Sequence, residues 1–328
     1  EKNLKYVKDK LRTDLATSGE ANILSDVDSP YWYKNEYYKE ARHWPRYRTL
    51  LENKPGWGQS IASSIDDVTT QIMNQIPNPR KEKFDSHGLV IGYVQSGKTA
   101  NYTGLMAKAA DAGYNLFIVF AGLHNNLRKQ TQDRLDRELT GEANGEFKAE
   151  RPPVGHRWMV LTTDEEGTHG DFYGANPVNI LQHESPILMV IKKNCTVLKR
   201  LEAWLNEADD EYLARKKVLI IDDEADHGSV NTGRAENPSE QEYDETEGDL
   251  DPSETNRLER VIRNFFRSFA FVGYTATPFA NVLTSPFEKD EYGKSLYPSD
   301  FIISLPKPKN YIGTTELFPE NPDDSSLN

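Results

Sequence analysis

At 328 residues the chain has room for one large domain with an appendage, or for two small domains. A hydrophobic share of 37% and a charged share of 28% suit a globular protein in water, and there is no run of about 18 apolar residues to span a membrane. A net charge of −13 excludes a generally basic nucleic-acid binder, and a single cysteine, Cys195, excludes an internal disulfide framework.

The start, Glu1-Lys2-Asn3-Leu4, lacks both Met and an apolar signal segment, so the chain reads as a trimmed cytoplasmic protein. Residues 1–80 hold no strand-like run and read as a helical appendage. Lys2 to Leu15 is charged and helix-compatible. An aromatic cluster follows: Tyr31, Trp32, Tyr33, Tyr37, Tyr38, Trp44, Tyr47 and Trp57. Such rings suit pinning the appendage to the main body, with base stacking as the rival use. Ile61, Ile65, Val68, Ile72, Met73 and Ile76 recur at helical spacing, and Pro77 and Pro79 end that helix. Arg80 to His87 reads as a polar linker.

From Gly88 the chain alternates strands and helices across a main domain, 81–285. Gly88 to Tyr93 predicts a strand, and Lys98 to Ala112 a helix capped by Gly113. Asn115 to Ala121 predicts a buried parallel strand, and His124 to Leu139 a helix. Trp158 to Thr162 and Pro186 to Ile191 predict strands on either side of a loop over 163–185. Cys195, after that second strand, reads as a small core or surface residue. Thr196 to Ala208 predicts a helix, Lys217 to Ile221 a strand, Ser253 to Phe266 a helix and Phe269 to Tyr274 a strand. Residues 234–251, with eight acids and one Arg, read as a surface loop. The proline-rich 286–328 reads as a linker or the start of another domain. The alternation argues an α/β fold with a mostly parallel, doubly wound sheet.

Two stretches carry chemistry. Gly92-Tyr93-Val94-Gln95-Ser96-Gly97-Lys98-Thr99 is Gly, four residues, then Gly-Lys-Thr, between a predicted strand and a predicted helix. Glycines let the backbone turn its N–H groups toward an anion, and the helix aims its positive end at the same place. Gly92, Gln95, Ser96, Gly97, Lys98 and Thr99 would cradle the phosphates of ATP, with Lys98 as a point charge and Thr99 offering a hydroxyl to Mg²⁺. Farther on, Val218 to Ile221 is an apolar strand that ends in Asp222-Asp223-Glu224-Ala225-Asp226. Carboxylates at a strand's carboxyl end can hold that Mg²⁺ and orient water. Successive strand side chains face opposite ways, so Asp222 and Asp223 should not both face the metal. His156, His169 and His183 lack metal-ligand spacing.

Asp223-Glu224-Ala225-Asp226 resembles the DEAD-type second motif of superfamily-two helicases, and the phosphate loop resembles their first. Tyr274-Thr275-Ala276-Thr277-Pro278 resembles their third, and Leu127-Arg128-Lys129-Gln130-Thr131-Gln132 sits where that family contacts a strand. The longer Gly-Tyr-Val-Gln-Ser-Gly-Lys-Thr-Ala-Asn-Tyr and Ala-Gly-Leu-His-Asn-Asn-Leu-Arg-Lys-Gln-Thr-Gln stretches resemble the bacterial Z-one domain family, over roughly residues 40–313. These are helicase-like ATPases linked with restriction or phage-defence gene clusters.

The resemblance implies a RecA-like motor domain. Asp223 would coordinate Mg²⁺ and Glu224 would position the attacking water. Asp226 and His227 would tie the second motif to the third, with Thr275 and Thr277 coupling nucleotide state to strand grip. Arg128, Gln130, Lys192 and Lys193 would touch the phosphates of DNA. Gln75 lies upstream like the adenine-reading glutamine of DEAD-box proteins, but its surroundings differ and it reads as a helix-surface residue. Such motors close a second RecA-like domain over ATP, and its arginine finger is worth about 10³–10⁵ in rate in related NTPases. About 50 residues follow Pro278, too few for that domain, so weak hydrolysis by the stretch alone is the expectation. Nuclease or other defence proteins are the implied partners. Two rival readings are an ATP-dependent switch that docks protein partners, and an RNA helicase.

Overall fold

The computed structural model describes residues 22–25, 31–33, 40–93, 97–142, 148–164, 171–172, 176–226, 252–278, 281, 289–290 and 293–306. The acidic stretch 234–251, the Lys2–Leu15 segment, Tyr37, Tyr38 and His169 lie outside them.

The elements follow in chain order. β1 (Asn22–Ser25) precedes helices α1 (Trp44–Asn53) and α2 (Gly58–Gln75). β2 (Phe84–Ile91) leads into α3 (Lys98–Ala112), β3 (Leu116–Ala121) and α4 (Asn125–Leu135), the last extended by a π-helical turn over Asp136–Thr140. β4 (Met159–Val160), a 3₁₀ turn over Val178–Gln182, β5 (Ile187–Ile191), α5 (Cys195–Asn206) and α6 (Asp210–Arg215) come next. β6 (Val218–Asp223), α7 (Pro252–Asn264) and β7 (Ser268–Thr275) complete the alternating part. β8 (Lys289–Asp290) and β9 (Gly293–Lys294) form a small hairpin, followed by β10 (Phe301–Ser304).

Among the described residues, eight strands form one sheet in the order β1-β10-β2-β7-β6-β3-β5-β4. Every neighbouring pair is parallel except β1 with β10. The fold is therefore α/β, built on a mixed, mostly parallel sheet. After β2 the chain crosses over two places to β3, and β6 and β7 later fill the gap. The carboxyl ends of β2, β7, β6 and β3 thus come together where the strand order reverses, which is where α/β sheets receive ligands.

Alternating side chains divide the core. Phe117 and Val119 of β3, with Leu219 and Ile221 of β6, meet α1, α2 and α3 on one face. Ile118 and Phe120, with Val218 and Ile220, meet α5 and α7 on the other. Helix α3 is buried nearly all round because α1 and α2 cover its outer side. At Gly104 an added Cβ would lie 3.2 Å from both Ile65 and Trp44, so the bare backbone lets α2 approach without displacing either side chain. The Asp111 carboxylate accepts from the backbone N–H groups of Arg42, His43 and Trp44, placing negative charge at the start of α1.

Three expectations need correction. Residues 1–80 do contain a strand: Asn22–Ser25 is too short to show a period, and it forms by pairing with the open edge of β10. Arg80 to His87 is not wholly a linker. β2 begins at Phe84, and Ser86 and His87 are buried and paired with Ala270 and Phe271 of β7, with the His87 ring stacked on Phe271. The stretch from 286 is not simply a connection, since Phe301–Ser304 joins the main sheet parallel to β2. The aromatic residues Tyr33, Trp44 and Tyr47 lie in the same core cluster as the sheet, so the N-terminal helices form a layer of the main body.

Candidate functional site

The register aligns the strand ends. Ile91 pairs with Thr275, Tyr274 with Asp223, and Asp223 with Ala121. The N–H of Gly92 donates to the Thr275 carbonyl across 2.9 Å, extending that alignment past the end of β2. Val94, Gln95 and Ser96 lie outside the described residues. Gly97 follows with φ +83°, a left-handed conformation that favours glycine, and it caps the start of α3. The first helical bond runs from Asn101 N–H to the Gly97 carbonyl, and the N–H groups of the opening turn have no acceptor within the helix. Lys98 and Thr99 stand on that turn.

β6 delivers the acids to the same place. As the alternation requires, Asp222 and Asp223 face opposite sides. Asp222 is buried and accepts from Lys193 Nζ at 2.9 Å. Asp223 points toward α3, where the Tyr102 hydroxyl donates to its Oδ2 at 3.1 Å. Burial first, and the neighbouring charge of Glu224 second, push the Asp223 carboxyl up to about 6. Glu224 has φ +54°, unusual for a residue with a side chain, and its Oε1 lies 4.0 Å from Lys98 Nζ. Lys98, Thr99, Asp223 and Glu224 are thereby brought together.

Asp226 sits one turn on. Its carboxylate accepts from the hydroxyls of Thr275, at 2.6 Å, and Thr277. The Thr277 N–H donates to Thr275 Oγ1 at 2.9 Å, closing a small polar cluster between β6 and β7. Ala225 N–H donates to the Tyr274 carbonyl, and Asn281 Nδ2 donates to the Ala225 carbonyl. His227 lies outside the described residues.

The four residues assigned to a nucleic-acid strand divide. Gln130 is exposed on α4. Arg128 is buried, donates to the Thr163 carbonyl at 2.8 Å and faces Asp171. Lys193 is fully buried against Asp222, and Lys192 is 6% exposed. Arg128 and Lys193 would have to leave their partners to meet a backbone phosphate, and Lys192 is almost wholly covered, so of the four only Gln130 stands exposed. Gln75 accepts from the Ser25 hydroxyl at 2.6 Å, tying α2 to β1.

A cleft of about 340 Å³ opens beside the acids, between Thr99, Asp223 and Glu224 on one side and Gln130, Arg134 and Arg137 on the other. Tyr102, Arg134 and Arg137 stand at the site although neither chemistry-bearing stretch of the sequence contains them. Their spacing carried the signal: Tyr102 is four residues after Lys98, and Gln130, Arg134 and Arg137 share one face of α4 and its extension. Among the described residues no cluster of three His, Cys, Asp or Glu forms a closed metal cage. No helix among them is long and apolar enough to cross a membrane. Compared with protein-family models and with curated proteins, the chain matches none.

Proposed function

We propose that the chain binds and hydrolyses ATP as a RecA-like motor domain of a helicase-like DNA translocase. The observation that carries this reading is the convergence of Lys98, on the opening turn of α3, with Asp223 and Glu224 at the end of β6. The donor set suits a nucleoside triphosphate with Mg²⁺. It combines a left-handed glycine, the N–H groups of a helix's opening turn, an ammonium, a hydroxyl and a half-buried carboxylate able to meet a cation.

In this reading Gly92, Gly97, Lys98 and Thr99, with Gln95 and Ser96, hold the phosphates. Thr99 and Asp223 hold Mg²⁺, which when bound neutralises phosphate charge and orients the outer group. Glu224 takes the proton of a water that attacks the terminal phosphorus, and the bond to the bridging oxygen breaks to release ADP and phosphate. Asp226, held by Thr275 and Thr277, links the acid-bearing turn to β7. That bridge can pass a change at the nucleotide to a neighbouring domain. The DNA substrate, a second RecA-like domain and the defence setting rest on the sequence resemblance, and the cytoplasmic location on the lack of an apolar signal-like start in the sequence.

The decisive measurement is equilibrium binding of a fluorescent ATP analogue with Mg²⁺ to the wild type and to Lys98→Ala. Saturable binding to the wild type, lost in the variant, is the expected result; equal binding by both overturns the reading. ATPase assays with DNA, RNA or neither then separate a motor from a switch. Stimulation by DNA that weakens with salt supports translocation.

A further inference from the structure

Lys193 does more in this structure than fill a charged position in the core. Its Nζ is fully buried and makes two short contacts: 2.9 Å to Asp222 Oδ1 and 2.7 Å to the main-chain carbonyl of Glu224. That carbonyl belongs to the one described non-glycine residue with positive φ. A left-handed glutamate persists only where its surroundings over-determine it. Lys193 is itself anchored, because its N–H donates to the Gly122 carbonyl at 2.9 Å, just past β3. Asn194, the next residue, caps α5 by accepting from Thr196 and Val197 N–H. Lys193 therefore joins the end of β5 to that of β3 through its N–H and to that of β6 through its ammonium, which grips the turn from behind. From the opposite side Ala225 N–H is held by the Tyr274 carbonyl.

We infer that Lys193 is a positioning residue: paired with Asp222, it locks the Glu224 backbone left-handed, and so aims the Glu224 carboxylate at Lys98 and the phosphate site. The second clause rests on the nucleotide reading above; the first does not. This also explains why two adjacent acids end β6. Asp223 faces the cleft, while Asp222 neutralises and orients the buried ammonium.

The test compares the wild type with Lys193→Met and with the double variant Asp222→Asn, Lys193→Met. The double variant removes both buried charges, so it keeps the fold should the single variant leave Asp222 stranded. Amide hydrogen exchange is the first readout. Protection at Ala225 should fall about 10-fold or more in the folded double variant, while strand interiors stay protected. Unchanged protection there overturns the inference, whether or not ATP binds. Steady-state ATPase kinetics are the second. kcat should fall about 10- to 100-fold with nucleotide affinity little changed, because a misaimed group loses rate while phosphate contacts survive. A kcat within about 2-fold of wild type overturns the aiming role. A wild type that binds no nucleotide overturns the ATPase reading, and exchange at Ala225 still judges the lock.

Discussion

The Tyr102 hydroxyl donates to Asp223 Oδ2 across 3.1 Å, joining the second turn of α3 to the end of β6. Tyr102 is buried, and burial holds its phenol protonated, so it enters this contact as a donor. Tyr102→Phe keeps the ring and its edge-on contact with Tyr274 but withdraws the donor from a half-buried carboxylate. A loss of about 1–3 kcal/mol is expected at pH 8, where Asp223 is ionised. Urea denaturation measures it; an unchanged midpoint would show the bond to be dispensable.

Glu224→Gln retains nearly the same shape beside Lys98 while replacing the carboxylate with a neutral amide. The ATPase reading expects nucleotide binding close to wild type and turnover reduced at least about 100-fold. Parallel binding and phosphate-release assays check it, and an unchanged turnover would remove Glu224 from the role.

Lys108 holds the helical layer onto α3. Its buried ammonium contacts the Asp66 carboxylate, the Asp66 carbonyl and Thr70 Oγ1 at 2.6–2.7 Å, and lies 4.4 Å from the Trp44 ring centroid. Lys108→Met removes the buried side of a partly buried pair and should cost about 2–4 kcal/mol. Chemical denaturation followed by tryptophan fluorescence would register the loss. A cost below about 1 kcal/mol would show that Arg48, the other partner of Asp66, suffices.

His43 makes stability depend on pH. Its Nδ1 accepts from Trp158 Nε1 at 3.1 Å, and burial, with smaller effects of His156 and Arg46, lowers it from 6.5 to about 4. The unfolded chain therefore binds the extra proton first as pH falls. His43's contribution is complete above about pH 6.5 and is lost on descending toward pH 4, a change of about 3 kcal/mol. Asp136 and Asp223, both raised to about 6, act in the opposite sense, so the difference from His43→Gln is the proper readout. Melting curves that stay parallel from pH 7 to pH 4.5 would refute it.

Gly88 and Phe301 face each other across β2 and β10. A Cβ on Gly88 would sit 2.0 Å from Phe301 Cζ. Gly88→Ala must displace the ring and should cost about 1–3 kcal/mol. Pairing it with Phe301→Ala should recover part of the cost, by about 0.5–3 kcal/mol of coupling in a double-mutant cycle. Strict additivity would show that β10 adjusts freely.

Much of this architecture is legible in local pattern. Apolar runs such as Leu116–Ala121 and Ile187–Ile191 announce buried parallel strands because both faces are covered. The helical period of Ile61 to Ile76, closed by Pro77, announces α2, and Gly97 before a helix-compatible run announces the start of α3. The opposed facing of Asp222 and Asp223 follows from strand geometry alone.

Other features exist only through long-range contact. β1 and β10 are four residues each and become strands by pairing at the sheet edge. The polar start of β2 is strand because it pairs with β7 from Ser268 to Phe271, and Asp300 holds the His87 backbone on the other side. The fate of Lys193 and Arg128 is the clearest case. Sequence specifies their charge, but whether a charge meets solvent or a buried carboxylate is decided by which strand ends lie beside it. A crossover that inserts β6 next to β3 brings Asp222 to Lys193 from 29 residues away, and no local period encodes that distance.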